Sequence, residues 1–179
     1  MEKYFNYIQT EVNKAYKIAE RAREKSYDPV NRVEIPLVRN MAERIEGLIS
    51  VVAPQIIDKG IPKRILELEK QYGKLDWRVA LTISLEVAQE KFCTFSNKIE
   101  AMEMGIRTGF AYVTIGSVAS PLEGFVKLSI KKRSDGDEYL CLYYSGPVRS
   151  AGGTAASVSV LIGDYIRKKM GYKEYDPTE

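Results

Sequence analysis

Residues 139–170 are the most informative part of the sequence and read YLCLYYSGPVRSAGGTAASVSVLIGDYIRKKM. Its tyrosine-rich start favours a strand, and its glycine-rich middle favours a loop. Its last part repeats apolar residues at helical spacing. The sequence therefore predicts a strand, a glycine loop and a helix over 154–170 that ends at Gly171. The predicted buried stripe of this helix is Val158, Leu161, Ile162, Tyr165, Ile166 and Met170.

A second strand is predicted just upstream, over residues 125–132. It is joined to residues 139–144 by Ser134-Asp135-Gly136-Asp137, where glycine tolerates the positive φ of a hairpin turn. The two strands therefore form a β-hairpin, and we expect the C-terminal helix to pack on it.

The N-terminal two thirds are predicted to be mostly helical. Residues 2–25 carry one apolar stripe that includes Tyr4, Ile8, Val12 and Tyr16. This stripe either packs within the chain or forms a surface for a partner subunit. Residues 28–39, which contain Pro29 and Pro36, are predicted to be an extended linker.

Further helices are predicted from capping signals. Asn40 with Glu43, and Asn97 with Glu100, have the spacing of a capping box. The predicted helices cover 41–52, 62–72, 77–91 and 97–115, with Trp77 in the core and Gly105 and Gly109 at a close helix contact. The fold class is α+β. The predicted domains are a helical extension at 1–27, the linker at 28–39 and a globular domain at 40–179.

Composition excludes several kinds of site. The 179 residues include no histidine, so Ser-His-Asp, Cys-His and histidine-zinc sites are excluded. Cys93 and Cys141 form no CxxC pair, and lone cysteines fit a reducing compartment. Asp135 and Asp137 lie in a turn, where aspartate commonly makes local hydrogen bonds. We therefore predict no catalytic and no metal-ligating residues, no membrane span, and a cytoplasmic location.

Two clusters have the chemistry of a phosphate site. Arg149, Ser150 and Thr154, with the amides of Gly152 and Gly153, would surround an anion at a helix N-terminus. A P-loop is excluded because Gly153 stands where the motif needs lysine. The alternative is a tight turn that packs closely on the helix. The second cluster is Lys131, Lys132 and Arg133, which would either contact phosphates or keep a hairpin tip soluble.

These segments together resemble the N-terminal region of the large subunit of archaeal family D DNA polymerase. The similarity extends from about residue 4 to the end, and is weakest from about 49 to 100. The matching segments are Lys14-Ala15-Tyr16, Ala22-Arg23, Met41-Ala42-Glu43-Arg44, Glu46-Gly47-Leu48, Pro121-Leu122-Glu123-Gly124, Asp135-Gly136-Asp137-Glu138-Tyr139-Leu140, 143–155, Ser159-Val160-Leu161 and Asp164-Tyr165.

The resemblance implies a replicative polymerase. In this family the large subunit carries nucleotidyl transfer, and a small subunit carries the 3′–5′ exonuclease. The polymerase aspartates and the zinc-binding cysteines of the family lie far downstream of the matched region. The resemblance therefore implies a fragment that is inactive alone, with Mg²⁺ and zinc belonging to the full-length subunit. It also implies template–primer DNA and the small subunit as partners, and self-association of the fragment is a further expectation.

Two other functions stay open from the sequence. One is a free-standing enzyme that acts on a phosphorylated small molecule in the glycine loop, although the chain lacks histidine and a P-loop lysine. The other is a purely structural interaction module, which fits the small net charge of +3 and the long amphipathic helix.

Overall fold

Six helices and one β-hairpin make up the part of the chain that the computed structural model describes, residues 2–27, 37–114 and 117–176. The helices are α1 (Glu2–Glu24), α2 (Met41–Ile49), α3 (Ile61–Tyr72), α4 (Trp77–Ala88), α5 (Lys98–Val113) and α6 (Gly153–Lys169). The strands are β1 (Phe125–Lys132) and β2 (Glu138–Tyr144). The predicted α+β class is confirmed. No helix among these residues is long and apolar enough to cross a membrane.

The described residues divide into two units, Met1–Arg39 and Asn40–Glu179. The first contains α1, of whose described residues none is buried. Ile8, Val12 and Tyr16 are half-buried along its stripe, whereas Tyr4 is exposed. The predicted linker at 28–39 lies largely outside the described residues, as does the predicted helix end at 115.

Helices α2, α4 and α5 begin where local capping rules place them, each after a residue whose side chain accepts from an amide of the first turn. The Asn40 side chain accepts a hydrogen bond from the Glu43 amide at 2.9 Å, and Asn97 accepts one from the Glu100 amide at 3.0 Å. Both asparagine N-caps are therefore confirmed. The predicted capping boxes form only in part, because the Glu43 carboxylate accepts from the Asn40 side-chain amide and the Glu100 carboxylate accepts from the Ser96 amide, each at 2.8 Å. Helix α2 ends at Ile49 and α4 at Ala88, a few residues earlier than predicted.

The core of the second unit lies between these helices. Its fully buried side chains include Ile45, Ile83 and Phe110. The close helix contact predicted at Gly105 is confirmed, since a Cβ there would lie 2.5 Å from the Ser84 carbonyl oxygen. The prediction that Trp77 lies in the core is wrong, because its side chain is 57% exposed and the buried face of α4 begins only at Val79.

The hairpin packs on α6, as predicted. Strands β1 and β2 are antiparallel, and Phe125 pairs with Tyr144 at one end while Lys132 pairs with Glu138 at the other. Gly163 of α6 admits the Leu142 side chain, which would lie 2.5 Å from an added Cβ. Leu161 was predicted to be buried in the α6 stripe. This is wrong: its side chain is 49% exposed, because it points to the solvent side while its neighbour Ile162 faces the core.

Sequence analysis missed three features near the hairpin. A π-helical turn at Ser120–Gly124 precedes β1, and a 3-10 turn at Gly146–Ala151 follows β2. The C-terminal tail also pairs with β2, because the Lys173 amide donates to the Glu138 carbonyl at 2.8 Å.

Candidate nucleic-acid interface

The glycine loop carries the chain from β2 into α6. After the 3-10 turn at Gly146–Ala151, Gly152 takes a positive φ of 82°, a conformation that favours glycine. Within the described part of the chain, no side chain caps the N-terminus of α6. The amides of its first turn therefore keep their capacity to donate, and the helix dipole favours an anion there.

The cationic side chain at this loop is Arg149. It is exposed, and it makes no ion pair with any residue in the described ranges. Gly152, Gly153 and Thr154 are exposed next to it. Ser150 lies in the 3-10 turn. Of the first predicted cluster, Arg149, Gly152, Gly153 and Thr154 are thus exposed.

The loop is held against the π-helical turn at Ser120–Gly124. The Ser145 amide donates to the Gly124 carbonyl at 2.9 Å, and the Ser120 hydroxyl donates to the Pro147 carbonyl at 3.1 Å. Gly124 leaves no room for a side chain, because an added Cβ would lie 2.8 Å from the Val148 amide nitrogen. The two segments are therefore one structural unit, although they are far apart in sequence.

A buried arginine of α5 binds the backbone of this unit through hydrogen bonds. The Arg107 side chain is only 6% exposed. Its guanidinium donates to the backbone carbonyls of Pro121 (2.7 Å), Leu122 (2.8 Å), Phe125 (2.7 Å) and Val126 (2.8 Å). Burial lowers the pKa of Arg107, and the negative charge of Glu103 acts in the opposite direction. An arginine stays protonated under any ordinary condition, so these carbonyls face a permanent cation.

Glu103 completes the attachment one helical turn before Arg107. Its carboxylate accepts a hydrogen bond from the Leu128 amide of β1 at 2.6 Å. Sequence reasoning missed both residues. The available signal was that Arg107 is the sole charged residue between Met104 and Leu122, a pattern typical of a cation with an internal partner.

The second predicted cluster lies at the tip of the hairpin. Lys131 and Lys132 are exposed there. Arg133 is instead occupied by acidic groups, with its guanidinium 2.9 Å from the Asp135 carboxylate and 3.4 Å from that of Asp176. The same side chain donates to the Glu174 carbonyl at 3.1 Å.

The structure does not bring the two clusters together. At the start of β1, Phe125 pairs with Tyr144, the residue just before the glycine loop. At the end of β1, Lys132 pairs with Glu138, the residue just after the hairpin turn. A strand of 8 residues spans about 25 Å. The two clusters would therefore contact different parts of an extended ligand.

The acidic residues of the turn serve the turn itself. The Asp135 carboxylate accepts a hydrogen bond from the Asp137 amide at 3.0 Å, which confirms the predicted local role. Among the described residues, no three His, Cys, Asp or Glu side chains are grouped so that they could hold a metal ion. The described residues therefore offer no such group for the Mg²⁺ and zinc, which the resemblance assigns to the full-length subunit.

Comparison with known proteins identifies the family. Residues 3–179 match the family described as DNA polymerase II large subunit DP2, N-terminal. The chain belongs to this family, which confirms the resemblance seen in the sequence.

Three relatives show how far the similarity extends, and each is named DNA polymerase II large subunit. That of Nanoarchaeum equitans (strain Kin4-M) is 51% identical over 98% of this chain and 14% of its own length. That of Methanococcus maripaludis (strain S2) is 44% identical over 100% of this chain and 15% of its own length. That of Pyrococcus horikoshii (strain OT-3) is 44% identical over 100% and 12%. The chain thus spans a small N-terminal share of these relatives.

Proposed function

We propose that this chain is a non-catalytic N-terminal part of a replicative archaeal DNA polymerase large subunit, which contacts template–primer DNA and contributes to subunit assembly. The full subunit would carry out DNA-directed DNA synthesis, and a small subunit would supply 3′–5′ exonuclease activity. The observation that carries the proposal is the family match over residues 3–179. Mg²⁺ and zinc are assigned to parts of the subunit beyond this region, so the chain alone is inactive.

The glycine loop is the proposed contact for DNA phosphates. Arg149 is exposed and lies beside the uncapped amides of the first turn of α6. Both groups attract anions, and the loop is held rigid by its bonds to the turn at Ser120–Gly124. Lys131 and Lys132 would add phosphate contacts about 25 Å away along the same duplex.

Fluorescence anisotropy of a labelled primer–template tests this contact. Binding by the chain should weaken steeply between about 50 and 200 mM salt. Arg149→Ala should lower the affinity and reduce the salt slope by about 1. The matched control is Lys168→Ala, which removes one exposed positive charge about 20 Å further along α6 and should leave the slope nearly unchanged. Equal slopes for the wild type and Arg149→Ala would remove Arg149 as a phosphate contact.

Helix α1 is the proposed surface for assembly. Among the described residues, Tyr4 of its stripe is exposed and Ile8, Val12 and Tyr16 are only half-buried. A stripe of this kind is stabilised when it packs against another helix or groove. The partner would be the small subunit or a second copy of this chain.

Light scattering and capture of the small subunit test the assembly role. Val12→Glu places a charge in the middle of the stripe and should abolish self-association or capture. Thr10→Glu places the same charge on the opposite face of α1 and should have little effect. If both variants behave like the wild type, α1 is not the assembly surface. A chain that assembles but shows no salt-dependent DNA binding would be a purely structural interaction module.

A further inference from the structure

Within the described residues of the second unit, one face of the hairpin is not covered by helices α2 to α6. Phe125, Leu128, Ile130, Leu140, Leu142 and Tyr144 face the helical core. Since side chains alternate along a strand, the opposite face carries Lys127, Ser129 and Lys131 of β1, paired with Tyr143, Cys141 and Tyr139 of β2. We call these six residues the outer hairpin face. Each of them is exposed or half-buried.

Lysine and tyrosine side chains interact directly on the outer hairpin face. The Lys127 ammonium lies 5.0 Å from the centre of the Tyr143 ring, in a cation–π contact. The Ser129 hydroxyl donates to the Tyr143 hydroxyl at 3.3 Å. Tyr139, at the other end of β2, packs against the exposed ring of Tyr175 with 5.4 Å between the ring centres. The face therefore presents two aromatic positions about 13 Å apart, with a cation beside each.

The charge of the outer hairpin face is of one sign. None of its six residues is acidic, and two are lysines. The Lys131 ammonium is protonated at neutral pH, as for any exposed lysine, and Cys141, followed by Tyr143 and Tyr139, raises its pKa further. The acidic residues Asp135 and Asp137 lie in the turn beyond the strands, where Asp135 is paired with Arg133.

We propose that the outer hairpin face binds single-stranded DNA, with unpaired bases stacked on Tyr143 and Tyr139 and phosphates held by Lys127 and Lys131. Cationic side chains interleaved with aromatic rings are the combination that single-strand binding surfaces use. Paired bases inside a duplex do not offer their faces for stacking, so the surface selects unpaired DNA. This inference rests on the proposed function, because an unpaired template strand is present wherever a polymerase copies DNA.

The test is fluorescence anisotropy with two probes, an oligo-dT of about 16 nucleotides and a blunt duplex of the same length. Tyr143→Leu should weaken binding of the single strand about 5- to 150-fold, which corresponds to one lost base–aromatic stack. Binding of the duplex should not change. Tyr143→Phe keeps the ring and should keep the affinity for the single strand, which separates stacking from a general loss of structure.

The lysines are tested through the salt dependence. Lys127→Gln and Lys131→Gln should each lower the salt slope for the single strand by about 0.7. Lys168→Gln removes an equal charge from the exposed side of α6 and should not lower it. An equal effect of all three variants would overturn the assignment to the outer hairpin face.

The remaining outcomes separate this inference from the proposed function. Duplex binding that depends on Arg149, together with single-strand binding that Tyr143→Leu leaves unchanged, overturns only the inference. Absence of binding to either probe at low salt overturns both. If Tyr143→Leu prevents capture of the small subunit and leaves oligo-dT binding intact, the face is a protein interface and the inference is wrong.

Discussion

The helical layer of α2 to α5 and the hairpin with its glycine loop are held together by different forces. In the helical layer the fully buried residues are mainly aliphatic and aromatic, such as Ile45, Ile83 and Phe110. At the base of the hairpin, a charged side chain, Arg107, bonds to four backbone carbonyls. Apolar burial is strong but non-directional, whereas hydrogen bonds to a guanidinium set positions and angles.

These two kinds of interaction control different properties of the molecule. The exposed loop around Arg149 has little apolar surface to bury, so packing alone would leave its shape loosely defined. Arg107 and Glu103 connect the π-helical turn at Ser120–Gly124 and the start of β1, which hold the loop, to the rigid helix α5. The helical layer therefore provides most of the stability, and the polar bonds beneath the hairpin determine how the loop is presented.

The largest expected effect comes from removing the guanidinium. Arg107→Met fills a similar space but leaves the four carbonyls without their donor, so the free energy of unfolding should fall by about 3–5 kcal/mol. Urea denaturation measures this loss. Hydrogen exchange should show that amides of β1 lose protection before amides of α4, because two of the four carbonyls belong to the start of β1 and the other two to the turn just before it.

Two controls accompany this variant. Arg107→Lys keeps the charge but cannot reach all four carbonyls in a fork, so its loss should be smaller than that of Arg107→Met. Ile83→Val removes one methylene from the helical layer and should cost about 0.5–1.5 kcal/mol without a selective effect on β1. Equal loss of protection in β1 and α4 in the Arg107 variants would break the comparison of the two regions.

The same contrast explains what could be predicted from sequence. The starts of α2 and α5 follow from local chemistry, since Asn40 and Asn97 each cap an amide three residues ahead. The hairpin follows from its turn residues. The role of Arg107 depends on a turn that begins 13 residues later in the chain (120 − 107), and no local rule connects the two.

Burial of single side chains was harder to predict for a related reason. Helical periodicity identifies a face, but not where along the helix the neighbouring elements stop. Trp77 lies at the first position of α4 and is exposed, whereas Val79 and Ala80 are buried. Of the candidate phosphate site, the position of Arg149 in a loop just before α6 followed from the sequence. The pairing of Arg133 with Asp176 did not, because it depends on the path of the C-terminal tail.

A smaller effect is expected where the loop and its support come into contact. Gly124→Ala would place a methyl group against the Val148 backbone, which cannot move as a side chain would, and should cost about 1–3 kcal/mol. The displaced loop should also bind the primer–template less tightly. Gly146→Ala is the matched control, since nothing lies within 4 Å of its added Cβ. Equal melting temperatures for the two variants would show that the contact at Gly124 is not tight.

Tyr112 shows that the helical layer also contains directional hydrogen bonds. Its buried hydroxyl donates to the Glu69 carboxylate at 3.0 Å and accepts from the Leu75 amide at 2.9 Å, and burial raises its pKa. Tyr112→Phe should cost about 1–2 kcal/mol, because the Leu75 amide loses its acceptor. Tyr72→Phe is the control at a half-buried tyrosine nearby and should change the urea midpoint less. If the two variants are equally stable, the Tyr112 hydroxyl contributes nothing to the helical layer.

The smallest expected effect concerns Glu46 of α2, a carboxylate placed against the apolar layer. Burial is the main cause that raises its pKa above 4.5, and among the described residues its Oε2 atom has no hydrogen-bond partner. The unfolded chain then binds fewer protons than the folded chain over the interval between the two pKa values, so stability contributed by Glu46 is lost as the pH rises through that interval. Glu46→Gln has no charge to bury and should be slightly more stable than the wild type at neutral pH, by about 1 kcal/mol or less because the group is partly solvated. At a pH below the ordinary pKa of 4.5, the gain in stability of Glu46→Gln should disappear. Urea midpoints of both proteins measured at neutral pH and below pH 4.5 would test this. A gain that is larger at acidic pH would contradict the assigned burial.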